Sequence, residues 1–201
     1  VEVNVVWFDA SYYENLIIQK SIHLISRAVF DDLATWMEYD DGYVVSNQNI
    51  ANTIIDGSTS TDDYGSCILI YSDNDDCITP RVIGFTIQNG IGTQIIRNPD
   101  TAEESQQRLG GGILFDISNP TIEYNQFIDN GSGDVTAGGG TYGTTFEEDW
   151  SFNNRENSRS RCDVDEFELT NNLYNGNDAI YGNSFANKYY EDTFDMSESI
   201  F

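Results

Sequence analysis

The stretch "GGGILFDISNPTIEYNQFIDNGSG" (Gly110 to Gly133) decides the fold. It holds short apolar beats, each one to three residues long, set among Asn, Asp, Pro and Gly. No run keeps a 3.6-residue period long enough for a helix. Asn and Gly tolerate the left-handed backbone that a sharp corner requires, so the stretch reads as short strands separated by tight corners.

Weaker copies occur along the chain. "NTIIDGS" ends at Gly57-Ser58, "RVIGFTIQNG" at Asn89-Gly90, "TIEYNQFIDNG" at Asn130-Gly131, and "ELTNNLYNGN" carries Asn175-Gly176. Pro80, Val82, Phe85, Asn89 and Gly90 align with Pro120, Ile122, Tyr124 or Phe127, Asn130 and Gly131 at an offset of about 40, with a one-residue slip. "GGGILF" (Gly110 to Phe115) is matched by "GGGTYG" (Gly138 to Gly143). Repeats of this size bury their apolar faces by stacking on one another. Short strands with corners between them imply an all-β fold, a parallel β-helix (solenoid) of about five coils, with Ile55, Ile87 and Ile128 stacked inside. Irregular loop excursions are expected near residues 29–50, 93–108 and 144–165. "RNPDTAEESQQR" and "EEDWSFNNRENSRSR" are polar enough to lie in water.

The 201 residues form a single domain by size, expected to be a mature or trimmed part of a longer chain. Thirty-four acidic residues against nine basic ones give a net charge of −25. Such a surface repels phosphates and anionic lipid, which argues against nucleic-acid partners. No run approaches the ~20 apolar residues of a membrane span, so no membrane insertion is expected. Exposed strand edges and an open core at the coil ends call for a neighbouring domain or a second copy.

"SYYENLIIQKSIHLIS" (Ser11 to Ser26) resembles the opening coil of bacterial right-handed parallel β-helix repeat proteins of the pectate-lyase-like superfamily. "TIIDGS", "VIGFTIQNG", "GGGILFDISNPTIEYNQFIDN" and "DAIYGNSFAN" resemble later coils of those proteins. The resemblance covers most of residues 1–143 and returns at 165–187. "DASYYEN" lacks the usual Pro-Gly before the Tyr, and residues 144–164 match nothing in the pattern. It implies a right-handed β-helix, secreted or held at the cell surface. That superfamily holds lyases, glycosidases, epimerases and adhesins, so the resemblance does not choose among activities.

Several side chains are candidates for function. Asp56, Asp62 and Asp63 in "DGSTSTDD", and Asp73, Asp75 and Asp76 in "SDNDD", cluster oxygen ligands as Ca2+ requires. The alternative is turns whose side chains cap their own backbone. Tyr12, Tyr13, Trp150, Tyr189 and Tyr190 are candidates for stacking on sugar rings, the alternative being core or coil-end packing. Cys67 and Cys77 are placed either to close a small disulfide loop or to stand reduced and partly buried, with Cys162 left over. The Asn130-Gly-Ser sequon reads as turn chemistry.

Catalytic signatures are weak. Lys20 and Lys188 are the only lysines; Arg81, Arg97 and Arg108 come from neighbouring units, with Arg81 at a strand start beside Pro80. The single histidine, His23, alternates with Ile22 and Leu24 and faces out of its strand. The paired-Asp and Gly-His-Gly signatures of pectin-hydrolysing β-helices are absent. The expected function is a non-catalytic extracellular module, adhesive, glycan-binding or structural, whose partner is a polysaccharide or cell-surface glycan. A polysaccharide lyase or glycosidase, and a subunit of an extracellular assembly, are the alternatives.

Overall fold

The computed structural model describes residues 2–6, 10–59, 64–72, 77–98, 100–131, 134–144, 150–151, 162, 167–188 and 194–201. The described residues are all-β, dominated by three parallel sheets. The first sheet holds Glu2–Val6, Ile22–Ser26, Arg81–Ile83, Thr121–Glu123, Phe167–Thr170 and Phe194–Asp195 in spatial order. The second holds Ala10–Tyr13, Thr53–Asp56, Thr86–Gln88, Gln126–Ile128 and Leu173–Asn175. The third holds Leu16–Ile18, Ile68–Ile70, Ile113–Asp116, Thr141–Thr144 and Phe185–Lys188. The chain visits first, second and third sheets in that order five times before reaching Phe194–Asp195. Each strand therefore pairs with the equivalent strand one circuit away, and β-branched residues on these short strands suit the pleated surface.

Register explains the repeat. Val82 pairs with Ile122, and Ile122 with Leu169; Ile55 pairs with Ile87, and Ile87 with Phe127. These side chains, with Ile68, Ile70, Ile113 and Phe115 of the third sheet, form one buried core. Each such Ile or Phe side chain contributes roughly 1.5–3 kcal/mol by leaving water. The expected stacking of Ile128 is corrected here. Phe127 takes the place above Ile87, while Ile128 pairs with Gln88 and is half-buried on the outer side. The offset of 40 between the two best-matched units holds through Gln88 and Ile128 without a slip, so Asn89 and Gly90 face Asp129 and Asn130.

Among the described residues, two segments leave the parallel sheets and pack on them; the third expected excursion, 144–165, lies mostly outside the described residues. Residues 27–52 carry two 3-10 turns (Arg27–Phe30, Leu33–Thr35), an antiparallel hairpin (Met37–Tyr39, Tyr43–Val45) and the short helix Gln48–Asn52. Asn47 caps that helix by accepting from the backbone N–H groups of Asn49 and Ile50. Ala28, Trp36 and Ile50 bury themselves against Leu173. The second segment is the hairpin Thr93–Arg97 with Ser105–Leu109, whose Ile95 and Leu109 pack on Leu69, Leu114 and Tyr142 from the outer face of the third sheet. Trp150–Ser151 adds a third strand to it.

The cysteine pairing also differs from the expected loop. Cys77 is bridged to Cys162, 85 residues away, and Cys67 is a buried free thiol. Cys67 points among the corners at Gln88 and Asn130, donating to the Gln88 carbonyl at 3.1 Å.

Candidate functional site

The outer face of the first sheet builds a groove. Strand alternation puts Val82, Ile122 and Leu169 inside, so their neighbours face out. His23, Arg81, Thr121 and Glu168 form one outward row in register; Ile25, Ile83, Glu123 and Thr170 form the next. The segment 27–35 rises beside these rows and closes one side with Val29 and Leu33. The result is a groove of about 410 Å³ lined by His23, Ile25, Val29, Leu33, Arg81, Ile83, Glu123 and Tyr124.

Local backbone chemistry fixes that wall. Ser26 ends its strand and its hydroxyl accepts from Ala28 N–H at 3.1 Å, starting the first 3-10 turn. Asp32 does the same for the second, accepting from Ala34 N–H at 3.0 Å. The turn sits close over the sheet corner at Gly84. A Cβ there would meet Ser26 Oγ at 2.5 Å, and the backbone has φ +85°, so both space and conformation demand glycine.

The polar side of the groove is partly self-satisfied. Arg81 Nη2 donates to Glu123 Oε2 at 2.7 Å, and Thr170 donates to Glu123 Oε1 at 3.3 Å. One row over, Thr121 donates to Glu168 at 3.2 Å. The Arg81 side chain is 41% exposed and Glu123 19%, so the pair opens to solvent on the arginine side. A guanidinium carries five N–H donors, and among the described residues one of its nitrogens is engaged, by Glu123. Burial, with Glu123 and then Glu198 nearby, raises the Tyr124 phenol above its ordinary value and keeps it protonated. The groove thus offers an apolar floor of Ile25 and Ile83 and an apolar wall of Val29 and Leu33, with donors and acceptors along the other rim. That combination is chemically suited to an amphipathic, hydroxyl-bearing molecule.

The residues singled out in the sequence are distributed differently. Asp56 is buried, and its carboxylate accepts from Gln88 Nε2 at 2.7 Å, Asn89 Nδ2 at 3.1 Å and Ser58 N–H at 2.9 Å. Those bonds commit both oxygens to the turn. Among the described residues no group of three or more His, Cys, Asp or Glu side chains is placed to hold a metal ion. Asp62, Asp63, Asp73, Asp75 and Asp76 lie outside the described residues, as do Tyr189 and Tyr190. Tyr12 is half-buried beside Ile55, and Tyr13 is 62% exposed; both sit on the second sheet and neither lines the groove. Trp150 lies on the strand paired with Ile96 and Arg97.

Of the groove residues, sequence reading singled out His23, facing out of its strand, and Arg81, at a strand start beside Pro80. It missed Glu123 and Tyr124 as partners of Arg81 and Ile83. The signal was present in the 40-residue offset, which sets "RVIG" directly against "TIEY". No family model matches the chain, and no curated protein or solved structure matches it.

Proposed function

We propose that the chain is a right-handed parallel β-helix module of an extracellular or cell-surface protein, and that it binds a neutral polysaccharide in the groove on its first sheet without cleaving it. Cyclic visits to three parallel sheets support the β-helix reading. The Cys77–Cys162 bridge supports an oxidising compartment.

The groove carries the binding reading. Sugar rings present apolar C–H faces and a rim of hydroxyl groups. An apolar floor bordered by Arg81, Glu123, His23 and Tyr124 complements both. A net charge of −25 opposes a polyanionic chain, which favours a neutral glycan.

The test is a titration with neutral hexasaccharides of glucose, mannose and xylose, alongside acidic hexasaccharides of uronic acids, for the wild-type chain and Arg81→Ala. Binding of a neutral hexasaccharide, weakened about tenfold in Arg81→Ala, is expected. Preference for the acidic sugars, or binding indifferent to Arg81→Ala, overturns the assignment. Release of new reducing ends or unsaturated products during incubation replaces it with a glycosidase or lyase.

A further inference from the structure

We infer that Tyr124 selects the ligand of this groove, and that a tyrosine stands at its position for binding rather than for the fold. The inference rests on the glycan-binding reading above.

Three successive circuits turn from the first sheet to the second through one residue with positive φ. These residues are Gly84 (φ +85°), Tyr124 (φ +54°) and Asn171 (φ +53°). Each precedes the buried residue that opens the next side, namely Phe85, Asn125 and Asn172. Glycine has no Cβ to clash there, and asparagine is among the side chains that tolerate the left-handed region. A bulky aromatic is an outlier, and such strain collects at functional sites. The corner itself therefore does not call for tyrosine.

The surroundings of Tyr124 show what the ring does instead. It meets the Trp36 ring edge-to-face, with centroids 6.0 Å apart. Trp36 is buried with Ala28, Ile50 and Leu173, and the Tyr124 ring packs against that cluster with its inner side only. The Tyr124 side chain stays half-exposed and lines the groove beside Leu33, Ile83 and Glu123. Its hydroxyl makes no hydrogen bond to any described residue, although Glu123 and Glu198 are close enough to raise its pKa. A sugar seated on the apolar floor would meet an aromatic surface and an uncommitted hydroxyl on one side chain. That hydroxyl can both donate and accept, which suits it to choosing among neutral sugars by the orientation of their hydroxyl groups.

The experiment uses the same neutral hexasaccharides with Tyr124→Phe and Tyr124→Asn. Phenylalanine keeps the ring and removes only the hydroxyl; asparagine restores the residue type found at Asn171. Tyr124→Phe is expected to keep the wild-type melting temperature, weaken the preferred hexasaccharide by roughly threefold or more, and narrow the difference between sugars. Tyr124→Asn is expected to weaken binding about tenfold or more, while its melting temperature stays within about 3 °C of wild type because relief of backbone strain offsets lost packing. If Tyr124→Phe keeps the affinity and sugar preference of the wild type while Arg81→Ala loses binding, Tyr124 is structural and the groove assignment stands. If the wild-type chain binds none of the hexasaccharides, both fall.

Discussion

Asn172 caps Asn125 from one circuit away: its side-chain oxygen accepts from the Asn125 backbone N–H at 3.0 Å and from the Asn125 side-chain amide at 3.3 Å. The Asn172 amide in turn donates to the Ile122 carbonyl at 2.7 Å. Asn125 does the same toward the circuit on its other side, accepting from Phe85 N–H at 3.0 Å and donating to the Val82 carbonyl at 2.9 Å. Asn130 and Asn177 repeat the arrangement at the next corner, with Asn130 accepting from Gly90 N–H at 3.0 Å. A corner interrupts the strand ladder and would leave buried backbone groups without partners. An asparagine side chain carries the same carbonyl and N–H groups as a peptide and extends the ladder through the turn.

Removing one rung exposes that dependence. Asn125→Ala strips partners from Phe85 N–H and the Val82 carbonyl, both buried, at about 1–3 kcal/mol each. We expect a loss of about 3 kcal/mol in urea unfolding. Asn172→Ala should cost a similar amount, and the double variant should cost less than the sum by about 1 kcal/mol or more, because the two share bonds. Strict additivity would mean that the rungs act independently.

The cysteines give a chemical count. Cys67 is fully buried, and burial pushes its thiol up to about 12. A thiol reagent at pH 8 should therefore find almost no reactive thiol in the native protein and one per chain in urea. The Cys77–Cys162 bridge closes a long loop, and replacing both residues by Ser should cost about 3–4 kcal/mol. Three thiols released by urea without reductant would rule out the bridge.

These features differ in how far the amino-acid order discloses them. The corners were legible as corners because Asn, Asp and Gly recur at them, but their register was not: Asn89-Gly90 matches Asn130-Gly131 by residue type, whereas the left-handed residues that follow the paired strands are Asn89 and Asp129. Phe127 and Ile128 were not separable, since in a three-residue strand both are apolar and only register decides which faces in. The Cys77–Cys162 pairing was hidden because the two residues meet only through stacking of distant circuits. The groove was hidden because one wall is the irregular segment 27–35, whose approach depends on the contact between Ser26 and Gly84.

A column of rings offers a graded test of packing. Phe127 and Tyr174 are stacked with centroids 4.6 Å apart, and Phe201 lies on Tyr174 at 5.2 Å. Phe127 and Tyr174 are buried, and the Tyr174 hydroxyl is within hydrogen-bond reach of Thr141 at 3.2 Å; Phe201 is 56% exposed. Tyr174→Ala should cost about 3–5 kcal/mol through the cavity it leaves. Phe201→Ala should cost about 0.5–1.5 kcal/mol, the worth of an aromatic pair with little burial. Equal losses by thermal unfolding would show that the stack does not grade with burial.

Asp56 should make stability depend on acid pH, and the direction follows from its contacts. Burial alone raises a carboxyl pKa, but hydrogen bonds from Gln88, Ser58 and Asn89 outweigh it and hold Asp56 below its ordinary 3.8. The folded state therefore binds the proton less readily than the unfolded chain. Its stabilising contribution is complete above the ordinary carboxylate range and declines as pH falls through 3.8 toward the lower folded value. Asp56→Asn keeps the shape but turns an amide toward the donors of Gln88 and Asn89. At pH 7 this should cost about 2 kcal/mol, the range for hydrogen bonds to a charged group. Between about pH 5 and pH 2.5 the difference between wild type and Asp56→Asn should shrink, because the wild-type carboxylate becomes protonated and loses the same bonds. Urea unfolding at several pH values measures this difference directly. A gap that stays constant down to pH 2.5 would place the role of Asp56 in shape rather than charge.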